Sequence, residues 1–269
     1  MSLPALIDAA TLQQHLDDEN ILIVDLSCDD NYMQGHIAGA VHIGPMQLIC
    51  GLAPAPGKLP TLEQLTTLLA NIGYEKHKHI VAYDDAGGCW AGRLIWTLTL
   101  LGHQNASLLD GGRNAWLSAG LPLTIEIPTI HKNAELALTL DTHFIIDKEE
   151  ILQRLGDSDF AVWDTRTAEE YRGEMPEQVR GGHIPGAVHL EWTRLMDDKQ
   201  YLLPLAQIQS MLDDAGLSKD KIIATHCQTH RRSGLTWFVA HKLLAYPAIK
   251  AYPGSWSDWA SDANTPIEK

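Results

Sequence analysis

Two stretches of the chain, GHIAGAVHI at Gly35–Ile43 and GHIPGAVHL at Gly182–Leu190, stand in the same relation to the segments around them. Such a repeat constrains the fold more than any other feature, because a sequence that reads twice must solve one folding problem twice. Ahead of each lies a short apolar run, ILIVDL at Ile21–Leu26 and FAVWDT at Phe160–Thr165, which sets Asp25 against Asp164. Behind each comes a leucine-rich helical pattern, Thr61–Gly73 and Leu205–Gly216, with apolar residues at three-to-four spacing and a closing glycine. The first of these opens with a Thr-x-x-Gln capping box. Then come β-rich runs, His79–Tyr83 and Lys221–Thr225, each followed by a loop and an apolar helical pattern, Leu94–Leu101 and Leu235–Leu244. Finally LLDGGRNAW at Leu108–Trp116 aligns with AYPGSWSDW at Ala251–Trp259. The register shifts only by small insertions, chiefly around Gly173–Arg180.

Strands alternating with helices imply an α/β architecture, here two domains, each a parallel β-sheet flanked by α-helices on both faces. The expected division is residues 1–124, a connector at 125–146 lying extended on the surface, and residues 147–269. A chain of 269 residues has enough length to bury a core without staples.

Composition narrows the function. There are 34 acidic residues against 20 basic ones, a net charge of -14. Residues 1–134 hold 6 basic and 13 acidic residues and the remainder 14 and 21, so each half carries -7. An evenly acidic surface repels nucleic acid and anionic membrane, and neither is an expected partner. No apolar run approaches the roughly eighteen residues of a membrane span. The N-terminal segment MSLPALIDAATLQQHLDDEN lacks the basic and apolar regions of a signal peptide. Four cysteines, Cys28, Cys50, Cys89 and Cys227, form no CxxC pair, which argues against zinc and against a disulfide framework. The expected setting is the cytoplasm, with reduced thiols, no metal and no organic cofactor.

In open α/β sheets ligands bind beyond the carboxyl ends of the strands. The segment HCQTHRRSG, His226–Gly234, occupies such a place, with Cys227 at the strand end and a helix beginning near Arg232 or Ser233. Backbone N–H groups curling into a helix N-terminus make an anion-binding nest. A thiol set there is driven toward thiolate by the helix end and by Arg231 and Arg232.

The order of elements, the two GHI(A/P)GAVH stretches, a cysteine loop in the second copy only and the ending GSWSDWASDANTPIE resemble a tandem-domain rhodanese. The loop CQTHRR, Cys227–Arg232, is similar to that of bacterial thiosulfate:cyanide sulfurtransferases. The resemblance covers nearly the whole chain. It implies an inactive first domain, a catalytic second domain, and a Cys227 persulfide that carries sulfane sulfur from a donor to a thiophilic acceptor, small molecule or protein. Thiosulfate is a dianion, and the candidate substrate-binding residues are Gln228, Thr229, His230, Arg231, Arg232 and Arg166. Many rhodaneses place basic residues directly after the cysteine, where this chain has Gln228 and Thr229. The mercaptopyruvate-using branch shows a glycine- and serine-rich loop such as CGSGVT, which this loop does not match. Cysteine phosphatases need Cys-x5-Arg, and Ser233 stands where that arginine would be.

The remaining candidates read as structural. Cys28 and Cys50 are expected spectators. Aligning the two β-rich runs places Asp85, preceded by Asp84, opposite Cys227, so the first copy would repel an anion; Cys89 lies in the same loop and suits a spectator or a reactive thiol. His36 and His183 occur in both copies and therefore read as braces. His226 is expected to point away from Cys227, since strand neighbours alternate faces. His230 suits either an exposed place or a tuning role. Arg166 suits the mouth of the site or a surface ion pair. Trp192, Trp237 and Trp256 suit a pocket wall or the core.

Overall fold

The computed structural model describes residues 3–175 and 180–269; of the insertion expected around Gly173–Arg180, residues 176–179 lie outside the described residues. The first half contains β1 (Leu6–Ile7), α1 (Ala9–Gln13), β2 (Ile21–Asp25), α2 (Asp29–Gln34), β3 (Val41–His42), α3 (Leu62–Asn71), β4 (His79–Tyr83), α4 (Cys89–Leu100), β5 (Ala106–Leu109) and α5 (Gly112–Ser118). The second contains α6 (Lys148–Arg154), β6 (Phe160–Asp164), α7 (Ala168–Arg172), β7 (Val188–His189), α8 (Leu205–Asp214), β8 (Ile222–His226), α9 (Arg232–Phe238), β9 (Ile249–Ala251) and α10 (Ser255–Ser261).

Both sheets are parallel, in the orders β1-β5-β4-β2-β3 and β7-β6-β8-β9. Among the described residues the second has no full counterpart of β1. Its edge is instead closed by the connector, where Ile145 bridges Ala251 and the amides of Ile146 and Ala251 reach the carbonyls of Ala251 and Phe144 at 2.9 and 2.8 Å. Central parallel strands are covered on both faces, and their sequences are accordingly apolar without alternation. Every residue of β4 and β6 is buried. The helix after the central strand is buried along its whole length in the first half, all twelve residues of α4.

Two compact units result. One comprises Met1–Ile49, Pro60–Asp141 and Asp198–Leu202; the other comprises Cys50–Leu59, Thr142–Asp197 and Leu203–Lys269. Each unit thus takes in a short segment from the other half of the sequence. In the first unit Tyr201 lies against Gly111, and the Leu202 amide donates to Asp110 Oδ1 at 2.9 Å.

The repeated histidines brace their helices as their presence in both copies suggested. His36 stacks on Tyr32 with its Nδ1 3.0 Å from the Tyr32 carbonyl, and His183 repeats this on Tyr171 at 2.9 Å.

Candidate active site

Strand β8 ends at His226, so Cys227 is the first residue beyond the sheet, and α9 starts at Arg232. The intervening turn is made at His230, whose φ of 57° is a left-handed value uncommon outside glycine. Its Nδ1 lies 2.7 Å from Ser233 Oγ, which ties the turn to the helix start. His230 is therefore buried, not exposed. The outward carbonyls of the loop are held by α10: the amides of Trp256 and Ser257 donate to Cys227 and Gln228 at 3.0 and 3.1 Å, and Ser257 Oγ donates to Gln228 at 2.8 Å.

With the carbonyls turned out, the N–H groups turn in. Burial raises the Cys227 thiol, but the Arg232 guanidinium, the Ser233 N–H and hydroxyl and the Thr229 N–H outweigh it, and the net shift is downward from 9.0. The thiol is only 1% exposed. Arg232 is held in turn by Glu170, in a bidentate pair with Nη1–Oε2 2.5 Å and Nη2–Oε1 2.8 Å. Burial raises Glu170, yet the Arg232 hydrogen bonds leave its carboxyl below the usual range. Arg231 is exposed.

Arg166 lies neither at a mouth nor in a surface ion pair. It is wholly buried, with Nε bound to both carboxylate oxygens of Asp164, Nη2 to Asp164 Oδ2 at 2.6 Å and to the Gly182 carbonyl at 2.8 Å. Sequence reasoning could not see this, because β6 ends at Asp164 and the turn beyond it folds Arg166 back onto that carboxylate. The guanidinium also stacks 4.3 Å from the Trp256 ring centre. His226 faces Asp164 with Nε2 3.6 Å from Oδ2, and burial lowers its pKa despite that carboxylate.

Beside the loop lies a cavity of about 620 Å³, lined on one side by Ala53, Pro54 and Pro56 and on the other by Gln228, Trp256 and Glu170. Among the described residues, neither Gln228 Oε1 nor the Trp256 indole N–H has a hydrogen-bond partner. Trp237 packs in the core, its N–H on the Ile249 carbonyl at 3.2 Å, and of the three tryptophans singled out only Trp256 lines this cavity. The wall at residues 53–56 carried no signal in the sequence, since it lies in the other half of the repeat. Among the described residues no three His, Cys, Asp or Glu side chains gather as a metal site.

The first unit contains a loop of the same length with a different occupant. Tyr83 pairs with Asp25 as His226 pairs with Asp164, so Asp84, not Asp85, is the counterpart of Cys227. The apparent match to Asp85 arose from starting the second strand at Lys221, one residue early. Asp84 accepts hydrogen bonds from the amides of Ala86, Gly88, Trp90 and Ala91 at 2.8–2.9 Å. Gly87, with φ 73°, turns where His230 turns, and Cys89 stands where Arg232 stands. Asp85 instead accepts from the Cys28 amide and from Asn31 Nδ2.

Fold and loop together define a duplicated α/β protein with one cysteine set among loop amides directly after a central strand. The rhodanese-like domain model matches twice, at residues 8–119 and 147–262, and the chain belongs to that family. It is 43% identical to the thiosulfate sulfurtransferase of Azotobacter vinelandii, over 99% of this chain and 98% of that one. It is 41% identical to the thiosulfate sulfurtransferase of Pseudomonas aeruginosa, over 99% and 97%. The fold matches that of the anaerobic ergothioneine biosynthesis enzyme from Chlorobium limicola with a TM-score of 0.88 at 22% identity, over 98% of this chain and 70% of that one. No helix among the described residues is long and apolar enough to cross a membrane.

Proposed function

We propose that the protein is a sulfurtransferase that takes sulfane sulfur from thiosulfate and passes it through a Cys227 persulfide to a thiophilic acceptor such as cyanide. The observation that carries this reading is the Cys227 thiol, held by the Thr229 and Ser233 amides beside an Arg232 that Glu170 keeps in place. An activated thiolate is the nucleophile such covalent catalysis needs. Its Sγ attacks the outer sulfur of thiosulfate; the S–S bond of the donor breaks and its electron pair leaves with sulfite. The new Cys–S–S⁻ keeps the single negative charge of the thiolate, and the same N–H groups hold it. Cyanide then attacks the terminal sulfur, thiocyanate departs, and the thiolate returns. No proton, electron or cofactor is needed in either half.

The exposed Arg231 meets the incoming sulfonate, and the Gln228 side chain and Thr229 line its approach. His230 shapes the loop. Arg166 acts at one remove, by fixing Asp164 and the Trp256 wall. The first unit is inert because Asp84 fills its nest with a carboxylate. The setting is cytoplasmic, and the acceptor is a small thiophile or a protein thiol.

Incubation with thiosulfate should add one sulfur atom to the intact mass, removable by cyanide, and Cys227→Ser should gain none. Equal gain by the variant, or none by either, rejects Cys227 as the nucleophile. Ready loading with weak turnover of free thiosulfate and cyanide would instead assign the protein as a persulfide carrier. The arginine at position 232 starts the helix one residue earlier than a Cys-x5-Arg loop allows, and a phosphate monoester should not be hydrolysed.

A further inference from the structure

The segment Cys50–Leu59 belongs by sequence to the first copy and by packing to the catalytic unit. Its Gly57 lies directly on the backbone of the Cys227 loop. A methyl group built there would collide with the Thr229 carbonyl and stand 2.6 Å from the Pro253 carbonyl oxygen. The obstacle is backbone on both sides, so no side chain can swing away to make room.

The loop needs such a hold. Its carbonyls must face outward for its N–H groups to face the sulfur. The Trp256 amide secures the carbonyl of Cys227, and Ser257 secures that of Gln228 through both its amide and its hydroxyl. The next carbonyl, that of Thr229, is the one Gly57 abuts. It precedes His230, the residue forced into the left-handed turn. The inert loop makes that turn with a glycine, Gly87, at no steric cost. In the catalytic loop a side chain is carried through it, and strained backbone of this kind persists where surrounding contacts over-determine it.

The repeat supplies an internal comparison. Gly57 stands two residues before Leu59–Pro60, and Tyr201 stands two residues before Leu203–Pro204. In the first unit, whose nest holds Asp84, Tyr201 occupies that station with its ring 3.0 Å from where a Gly111 Cβ would be. The unit with the nucleophile has glycine there and close backbone contact; the unit without it has a large ring.

We propose that Gly57 is a positioning residue for sulfur transfer, the seat that holds the Thr229 carbonyl outward and thereby aims the loop amides at Cys227. This rests on Cys227 being the nucleophile, as proposed above. The test therefore reads the thiol itself and needs no sulfur donor: the rate of Cys227 alkylation by iodoacetamide against pH, followed by mass of the Cys227 peptide. In Gly57→Ala the midpoint should rise by about half a unit or more as the amides withdraw. The rate of sulfur loading should fall on the order of tenfold to a hundredfold, as for a catalytic group displaced by about an ångström. Lys58→Ala, which removes the neighbouring 3.7 Å ion pair to Asp258, should leave the midpoint where it is. A folded Gly57→Ala with wild-type midpoint and alkylation rate overturns the proposal, since a merely structural glycine would change melting alone. Should Gly57→Ala not fold, amide exchange decides. Cys227→Ala takes an acceptor from the loop, and exchange should quicken in residues 50–58 together with 227–234. Quickening confined to 227–234 also overturns it. Failure of thiosulfate to load the wild-type protein would reject the proposed reaction and leave the alkylation result standing.

Discussion

Asp84 stands one residue beyond β4, at the station Cys227 holds one residue beyond β8, and it accepts four backbone hydrogen bonds there. The two loops have the same length and a left-handed residue at the same station, Gly87 and His230, but the first stays left-handed at Gly88 where Arg231 is right-handed. Loops of one length thus serve a carboxylate in one unit and a thiol in the other. In the first unit the occupant is a carboxylate, which burial pushes above its ordinary range despite four amide hydrogen bonds; in the second it is a thiol that Arg232 and the loop amides draw toward thiolate.

Asp84→Asn tests the first half of that statement. One carboxylate oxygen takes the Ala86 and Gly88 amides and the other takes those of Trp90 and Ala91. An amide nitrogen can accept from neither pair, so two buried donors are orphaned. Each such loss costs about 1–3 kcal/mol, and the variant should lose about 2–6 kcal/mol of unfolding free energy by urea titration. Sulfur loading at Cys227 in the folded fraction should be unchanged.

Arg232→Gln tests the second half. It removes the guanidinium that most lowers the Cys227 pKa after burial has raised it. The midpoint of Cys227 alkylation, expected below 9.0 in the wild type, should move up. Loading from thiosulfate near pH 7 should slow by roughly tenfold or more, because only the thiolate attacks. An unchanged midpoint would assign the acidity to the amides alone.

The Asp164–Arg166 pair is wholly buried on both sides. Asp164→Asn would leave the guanidinium without its counter-charge, a change that costs about 3–5 kcal/mol in comparable buried pairs. Thermal unfolding should show it, and sulfur loading should fall with the folded fraction, not ahead of it.

His241 packs against Phe144 and Trp237, and burial pushes its pKa down to about 4. A folded-state value below the unfolded one means the unfolded chain binds the proton first. The contribution is fully present above about 6.5 and is lost as pH falls toward 4. Stability measured between those values should decline with acid, and His241→Phe should flatten that part of the curve. The ring resonances should report the neutral imidazole down to about pH 5, well above the folded-state value.

Much of the molecule was legible in one dimension. The duplication, the parallel sheets and the place of Cys227 before a helix all follow from local order: apolar runs of strand length, Asp at strand ends and glycines at turns. Even the inertness expected of the first copy rested on a carboxylate near the right place, although the register was one residue out. A strand boundary is set by ladder hydrogen bonds to a neighbour, and His226 joins β8 because Asp164 lies across from it. Local propensity does not contain that information.

The sequence by itself determined that two copies of one α/β plan would form and that only the second would set a cysteine directly after its β-rich run, where the first has aspartate. Tertiary structure decided the rest. It buried Arg166 on Asp164, closed Arg232 on Glu170, turned His230 into the loop, and set Gly57 from one half of the chain against Thr229 in the other. The division has a physical reason. Periodicity and strand-end chemistry act over a few residues, whereas the acidity of a buried thiol depends on charges and amides that reach it only after distant segments have packed.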